Sequence, residues 1–344
     1  MSSINPNVAI IVLNWNGASD SIKCIKSLQK QSIKTDIIVV DNASSDDSVK
    51  IFKKFIKGTS DGIYLIENDK NLGFAGGINS GLRYALLHNY TFVGLLNPDA
   101  TADKNWVKYI LNELTKHSTT GIATGLLLRQ NGKTIDSSGD LYTTWGLPGP
   151  RNRDEPVKNA PKKSGYIFGA TGGGAIYRAS MFNNVAMFDE KFFMYYEDVD
   201  LSFRTQLAGY KVRFTPNAIA YHKQGASSKK VPGLAVYNTF KNLPMVFIKN
   251  VPGWLFFTIG FRFFFTYWLI FVSAIRHGNG WPALKGTLMS ILLWPHAFYA
   301  RINIQAHKKV TTKYIYSIIH HGPLPNQTGL IKFRSLFTKT KISS

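Results

Sequence analysis

Short apolar runs alternate with helical patterns through the N-terminal part of the chain, and this alternation constrains the fold more than any other feature. The runs occupy residues 8–13, 36–40, 63–66 and 92–96, and a helical pattern follows each of the first three. Continuous apolar runs are typical of parallel strands that are covered on both faces. The alternation with short connections therefore predicts a doubly wound α/β sheet.

Each of these apolar runs ends in polar residues. Asn14 follows the first run, Asp41 and Asn42 the second, Asn71 the third and residues 97–99 the fourth. Ligands of open α/β sheets bind beyond the carboxyl ends of the strands. The sequence therefore predicts a binding cleft at this edge of the sheet.

A glycine-rich segment at residues 73–77 follows the third run. It does not have the G-x-G-x-x-G spacing and does not lie in a first strand–helix turn, where the dinucleotide fingerprint belongs. A hydride-transferring enzyme is therefore disfavoured. The glycines still allow a backbone to approach a ligand closely, and Asn79 lies one turn into the helix that follows.

An acidic pair, Glu197 and Asp198, follows the aromatic run at residues 192–196. Partial removal from water raises the pKa of a carboxyl group toward the working range of a general base. The pattern from Val199 to Gly209 predicts a short helix, so the pair could equally cap its N-terminus. Asp99 leaves a similar choice open between capping a helix and binding a hard divalent cation.

Charge is distributed unevenly along the chain. The net charge is +21, all 20 acidic residues lie at or before Asp200, and residues 201–344 carry 19 Lys and Arg. Such a basic region suits nucleic acid or anionic lipid headgroups. Cys24 is the only cysteine, so no intrachain disulfide can form, and residues 1–7 do not have the pattern of a secretory signal.

Four segments together resemble the inverting family-2 glycosyltransferases of the GT-A fold, with a rhamnosyltransferase-like subgroup of bacterial surface polysaccharide synthesis as the nearest group. They read VLNWNG at 12–17, VDNASSD at 40–46, NLGFAGGIN at 71–79 and LNPD at 96–99. The resemblance covers about residues 8–225. It implies a GT-A domain with a mixed, Rossmann-like sheet over residues 1–225. The basic, aromatic-rich residues 226–344 are predicted separately, from their composition, to form a helical membrane-association region.

The resemblance also implies roles for particular residues. Asp41 would contact the nucleotide base, Leu13 and Asn14 would cradle the nucleoside, and Asp99 would hold Mg²⁺ or Mn²⁺ on the donor diphosphate. Further donor-binding positions are Asn71, Gly73, Asn79 and Asn97. Asn97 stands where the family often has the first aspartate of its metal motif, and His222 is a candidate to fill that place.

For the acidic pair, the resemblance implies that Asp198 is the catalytic base and that Glu197 supports it or binds the acceptor. Residues 165–177 would line the donor-sugar and acceptor sites. The Gly-, Pro- and Asn-rich excursion at residues 138–163 could be a lid, an acceptor-binding surface or a disordered insert.

The C-terminal region contains a 22-residue apolar run, 254–275, in which Arg262 is the only charged residue. Its length would allow it to span a membrane, but Lys and Arg flank it on both sides, against the positive-inside rule. With the second apolar stretch at residues 288–300, it favours helices that lie in the cytoplasmic leaflet. The alternative is a buried helical interface in a homodimer. Because no nucleic-acid module accompanies the basic residues, we expect no nucleic-acid partner.

Taken together, these patterns predict a metal-assisted transferase at the cytoplasmic face of the membrane. It would move a sugar, with dTDP-rhamnose as the expected donor, to a lipid-linked glycan. The alternatives are a UDP-sugar-dependent transferase for galactofuranose or an N-acetylhexosamine, and a non-catalytic nucleotide-sugar-binding scaffold.

Overall fold

A computed structural model describes residues 7–59, 62–223 and 231–325. The expected alternation of strand and helix opens the chain. Its first elements are β1 (Val8–Asn14), α1 (Ala18–Gln29), β2 (Asp36–Asp41), α2 (Ser48–Lys57), β3 (Ile63–Glu67), α3 (Gly73–Leu87) and β4 (Phe92–Leu96).

The second half of the sheet domain combines several three-residue strands with the two longest strands that the structure describes. Its elements are β5 (Ala100–Ala102), α4 (Trp106–Lys116), β6 (Thr120–Arg129), β7 (Ile135–Ser137), β8 (Asp140–Tyr142), β9 (Pro148–Pro150), β10 (Gly165–Ile167), β11 (Gly174–Arg178), α5 (Glu197–Leu207) and β12 (Lys211–His222).

The main sheet is mixed and has the order β10-β12-β6-β11-β4-β1-β2-β3. Strand β1 runs parallel to β2 and β4, whereas β11 is antiparallel to both β4 and β6. Apolar side chains from β1 and β2 enter two separate cores, one on each face of the sheet. This double covering explains the continuous apolar runs and confirms the predicted mixed α/β fold.

The glycine-rich segment after Asn71 is the first part of α3 rather than a loop. A Cβ atom on Gly77 would lie 2.5 Å from a methyl carbon of Leu13, and one on Gly81 would lie 2.8 Å from a methyl carbon of Ile11. These glycines therefore let the helix pack closely on β1. The N-cap position of α1 is Gly17. Ser19 and Asp20, which are residue types that often cap helices, lie within its first turn instead.

The C-terminal region is helical, as expected from the sequence. It contains α6 (Leu234–Asn250), α7 (Leu255–Arg276), α8 (Gly280–Ala306) and α9 (Thr312–Ile318). Residues of α6 are buried with residues of α5, α7 and α8 in a third core. The predicted boundary at residue 225 lies outside the described residues.

Candidate functional site

A cleft of about 710 Å³ lies at the carboxyl edge of the sheet. Residues from both halves of the sheet domain line it. Of the residues singled out in the sequence, the cleft brings together Leu13, Asn71, Gly73, Asn97, Asp99, Glu197, Asp198 and His222. Thus Asp99 and Asp198, which are far apart in the sequence, face one space.

Asn14 and Asp41 lie behind the wall of the cleft and bond to each other. The Asn14 amide donates to the Asp41 carboxylate at 2.9 Å, and Ser44 donates to the same carboxylate through its hydroxyl and its backbone N–H. Both residues are buried. They join the ends of β1 and β2, and the next residue, Asn42, lines the cleft beside them.

Asn42 and Asn79 are also held by hydrogen bonds. The Asn42 amide donates to Asn71 Oδ1 at 2.9 Å and to the Gly73 carbonyl at 3.0 Å, which fixes the loop ahead of α3. Asn79 does not line the cleft. Its amide donates to the Phe188 carbonyl at 2.8 Å, so it ties α3 to the segment that leads to the acidic pair.

His222 lines the cleft and lies between two carboxylates. Its Nε2 is 3.0 Å from Asp99 Oδ1, and its Nδ1 is 2.7 Å from Asp136 Oδ2. The pairing of β5 with β12 sets Ala100 opposite His222 and so brings Asp99 within reach. Burial lowers the pKa of His222, but hydrogen bonds to Asp136 and Asp99 outweigh it and raise the pKa to about 9.

This arrangement fits a divalent cation bound together with a diphosphate. Within the described ranges, no group of three or more His, Cys, Asp or Glu side chains could hold a metal by itself. However, Mg²⁺ at phosphate sites commonly uses only one or two carboxylates in addition to the substrate phosphates. A ligating histidine usually donates its other ring N–H to a carboxylate, which here is Asp136. The chain would thus supply Asp99 and His222 as ligands.

Asp198, which also lines the cleft, lies in the first turn of α5. Its Oδ2 accepts the Gly172 N–H at 2.7 Å and its Oδ1 accepts the Val199 N–H at 2.8 Å. Burial raises the pKa of Asp198, and these backbone donors partly oppose that shift. The carboxylate is therefore fixed in orientation and is a stronger base than a solvated aspartate.

Glu197 precedes Asp198 and is more deeply buried, at 5% exposure. Its Oε2 has no hydrogen-bond partner among the described residues. Burial, followed by the charge of Asp198, raises the pKa of Glu197 well above its ordinary value. This residue is therefore suited to a role as a neutral neighbour of Asp198.

The turn ahead of the pair has an uncommon backbone conformation. Phe193, Tyr195 and Tyr196 all have positive φ angles, between 62° and 70°. Conformations of this kind cost about 1–3 kcal/mol each for residues other than glycine. Asn242 of α6 compensates by donating to the carbonyls of Phe192, Met194 and Tyr195 at 2.8–3.0 Å. The C-terminal region thus supports the turn that leads into the acidic pair.

The excursion at residues 138–163 contributes residues that the sequence did not single out. Its strands β8 and β9 form a two-stranded sheet, so the alternative of a disordered insert is wrong for this segment. Asp140 and Arg153 line the cleft together with Asp136 just upstream. No local sequence motif marks these residues, because it is the tertiary course of residues 138–163 that brings them to the cleft.

Comparison with known proteins was consistent with these observations. The model of the family described as glycosyl transferase family 2 matches residues 9–186. The low-salt glycan biosynthesis hexosyltransferase Agl10 of Haloferax volcanii is 27% identical over 249 residues, which cover 69% of this chain and 74% of that protein. The poly-beta-1,6-N-acetyl-D-glucosamine synthase of Staphylococcus aureus is 24% identical over 55% of this chain and 42% of its own length.

Solved structures show the same fold at low sequence identity. The mannosyltransferase PcManGT from Pyrobaculum calidifontis, in complex with GDP-Man and Mn²⁺, has a TM-score of 0.53 at 16% identity and covers 98% of this chain and 82% of that chain. Residues 1–349 of Staphylococcus aureus TarS, in complex with UDP-GlcNAc, have a TM-score of 0.55 at 16% identity and cover 90% of this chain and 92% of that chain. The fold is therefore that of GT-A glycosyltransferases.

Proposed function

The chain belongs to glycosyl transferase family 2, and from this premise we propose that it moves one sugar from a nucleotide diphosphate to an acceptor hydroxyl, with inversion at the anomeric carbon. The observation that carries the proposal is that Asp198 faces the same cleft as Asp99 and His222. The cleft thus offers an oriented base together with ligands suited to a diphosphate-bound cation.

The reaction is a single displacement. Asp198 accepts the proton of the acceptor hydroxyl as that oxygen forms a bond to the anomeric carbon. The bond from this carbon to the donor phosphate oxygen breaks, and the nucleoside diphosphate leaves with the electron pair. A positioned base contributes about 10²- to 10⁴-fold to such a rate. The backbone donors from Gly172 and Val199 keep the carboxylate aimed throughout.

Asp99 and His222 would hold Mg²⁺ or Mn²⁺, and Asp136 would keep the His222 ring oriented toward it. When bound, such an ion neutralises the charge that develops on the departing diphosphate. Asn97, whose amide lies 3.2 Å from His222 Nε2, occupies the place of a carboxylate and adds no charge. Asp99 would then be the charged ligand, and His222, whose pKa is raised to about 9, would release a proton to bind the ion as neutral imidazole.

For the substrates, we keep the proposal made from the sequence, namely dTDP-rhamnose as donor and a lipid-linked saccharide as acceptor. Support for a lipid-linked acceptor comes from the surface of the C-terminal helices. Large aromatic side chains of α7 point outward, with Phe257 79% and Phe261 83% exposed. A saccharide on a lipid carrier would be presented at a membrane to which such a surface binds.

The membrane proposal is for helices that lie in the interface. One described helix, Leu255–Arg276, is long and apolar enough to cross a membrane, and 28% of its most apolar stretch is buried. Helix α8 also exposes large apolar side chains, among them Leu288, Leu292 and Tyr299. An aromatic face beside lysines, with no acidic residue after Asp200, matches a peripheral protein on anionic lipid at the cytoplasmic face. A homodimer through this face is the competing arrangement.

A thermal-shift screen tests the donor. The panel contains dTDP-rhamnose, UDP-galactofuranose, UDP-GlcNAc and GDP-mannose, each with and without Mn²⁺. A ligand that binds only the folded protein stabilises it by about 2.7 kcal/mol at one hundred times its dissociation constant. We expect one nucleotide sugar to raise the melting temperature, and more so with Mn²⁺. The absence of any stabilisation would reject the proposal.

The matching donor is then incubated with polyprenyl-diphosphate saccharides, and the released products are identified. Release of the nucleoside diphosphate that depends on the acceptor is the expected result. Release of pyrophosphate would indicate nucleotidyl transfer instead. Tight donor binding with no release by wild type or Asp198→Asn would indicate the scaffold alternative.

A further inference from the structure

Asp140 is a buried carboxyl group in the cleft for which the reaction described above has no role. It is the first residue of β8, its exposure is 6%, and it lines the cleft together with Asp198. Apart from Glu197, whose Oε2 also has no hydrogen-bond partner among the described residues, the other nearby buried acidic residues have partners within the protein. Asp136 binds His222 and Arg153, and Asp200 binds Lys249 and Arg204.

The backbone holds Asp140 firmly in this position. Its N–H donates to the Gly169 carbonyl at 2.7 Å, and the Gly169 N–H donates back at 3.1 Å. The preceding residue, Gly139, has a φ angle of +100°, and a Cβ atom there would lie 2.3 Å from Ile167 Cδ1. Its carbonyl accepts the Ser137 hydroxyl at 2.8 Å. Because this turn is rigid, the backbone of Asp140 is fixed and its side chain is held in the wall of the cleft.

The carboxyl group itself has no hydrogen-bond or ion-pair partner among the residues that the structure describes. Its oxygens are not among the unpartnered side-chain atoms that are sealed from solvent, so they open into the cleft, where a ligand that enters can bind them. The nearby cations are engaged elsewhere, since the Arg151 guanidinium donates to the Ser138 carbonyl at 2.9 Å and that of Arg153 contacts Asp136 at 3.3 Å. Burial, and then the charge of Asp198, raises the pKa of Asp140.

Asp140 and Asp198 rest on one glycine-rich segment. Gly169 is bonded to the backbone of Asp140, and the Gly172 N–H binds the Asp198 carboxylate. Three residues of chain span at most about 10 Å, so the two carboxyl groups face neighbouring parts of the cleft. A ligand that presents one polar group to Asp198 can therefore present another to Asp140.

We propose that Asp140 binds a second hydroxyl of the acceptor sugar, next to the hydroxyl that Asp198 deprotonates, and thereby selects acceptors in which that hydroxyl is free. A sugar hydroxyl both donates and accepts, so it suits Asp140 in either protonation state. This inference rests on the proposed function, because it assumes that the cleft receives an acceptor sugar. Asp140 is in this view a specificity-determining residue rather than a second base.

The test measures sugar binding separately from donor binding. The probes are octyl α-rhamnoside, octyl β-glucoside and octyl β-galactofuranoside, and for each of them the set of monodeoxy analogues. Affinities are measured by saturation-transfer NMR titration in the presence of dTDP or UDP and Mn²⁺. Wild type is compared with Asp140→Ala, Asp140→Asn and the control Asp154→Ala, which alters an exposed carboxylate on the same excursion.

We expect at least one glycoside to bind wild type and Asp154→Ala equally, and to bind Asp140→Ala about 10- to 100-fold more weakly. Asp140→Asn, which keeps the size and an acceptor oxygen, should restore most of the affinity. One monodeoxy analogue should bind wild type and Asp140→Ala alike, because the hydroxyl that Asp140 contacts is missing. Nucleotide affinity should be the same in all four proteins, which also shows that each is folded.

Two results would overturn the inference. One is equal glycoside binding by wild type and Asp140→Ala. The other is binding of a nucleotide sugar without binding of any glycoside by wild type. Both differ from failure of the proposed function, which would appear as no stabilisation by any nucleotide sugar in the thermal-shift screen.

Discussion

Replacement of Asp198 by asparagine removes the proposed base and leaves its surroundings almost unchanged. The amide oxygen can still accept the N–H of Gly172 or Val199, so the fold and the nucleotide site should persist. Turnover should fall by about 10²- to 10⁴-fold, measured as nucleoside diphosphate released per enzyme. Asp47→Asn, at an exposed position ahead of α2, is the control and should retain full activity. Undiminished turnover by Asp198→Asn would assign the base to another residue.

Asp136 is proposed to act on the metal site through His222. Asp136→Asn should lower the affinity for Mn²⁺ by about 10- to 100-fold, the usual effect of removing the carboxylate behind a ligating histidine. The free Mn²⁺ that remains in the presence of UDP can be counted by electron paramagnetic resonance, without any turnover. Asp154→Asn serves as the control. Unaltered Mn²⁺ affinity in Asp136→Asn would show that His222 is not a ligand held in this way.

At the scale of residues, the sequence predicts the site in part. Asp99, Asp198 and His222 stand beside recognisable local patterns, and the structure brings them to one cleft. Asn14 and Asp41 also follow strand ends as predicted, yet their side chains turn toward each other. Strand-end position fixes where a residue lies but not the direction of its side chain. Assignment of roles to these residues stays a prediction.

At the scale of elements, α6 joins the C-terminal region to the segment around the acidic pair through a buried ion network. Lys249 is 2% exposed and binds Asp189 at 2.6 Å and Asp200 at 2.9 Å. Lys249→Met would leave both carboxylates without this cation, and breaking such a buried pair costs about 3–5 kcal/mol. Urea unfolding should show this loss. Lys23→Met removes an exposed ion pair and should cost less than about 1 kcal/mol.

The same network predicts a dependence of stability on pH. Burial alone would raise the pKa of Asp200, but Lys249 and Arg204 outweigh it and hold the pKa below its ordinary value. A depressed folded-state pKa contributes stability above the unfolded pKa, near 3.9, and this contribution is lost as the pH falls through the folded-state value. The difference in unfolding free energy between wild type and Lys249→Met should therefore be largest above about pH 5 and shrink at lower pH. A constant difference from pH 7 to pH 3 would contradict this assignment.

The order of strands and helices in the sheet domain could be predicted because each element carries its own periodic signal. The support that α6 gives to residues 192–196 could not. It depends on Asn242 meeting three carbonyls about 50 residues upstream, and no local pattern records a contact of this range. The place of Asp140 in the cleft was unpredictable for the same reason.

At the scale of the whole molecule, the proposed membrane surface can be tested by altering its most exposed side chains. Phe257→Ser combined with Phe261→Ser should weaken binding to vesicles of phosphatidylglycerol and phosphatidylethanolamine by about tenfold or more, because each aromatic contributes apolar area to the lipid. Vesicle sedimentation measures this. Leu87→Ser removes a side chain that is equally exposed, at 80%, on α3, and should leave binding intact. A change from dimer to monomer without loss of vesicle binding would instead favour the homodimer.

The three hydrogen bonds from Asn242 to the turn ahead of Asp198 have a practical consequence. Deletion of the apolar helices α6–α9 to obtain a more soluble protein would also remove Asn242, which holds the turn ahead of Asp198. A shortened chain that ends at residue 223 would expose the third core and would leave Asp189 and Asp200 without Lys249, so it should unfold at a lower urea concentration than the full chain. The C-terminal helices and the sheet domain share one core, so the surface proposed to bind the membrane cannot be removed without altering the surroundings of the acidic pair.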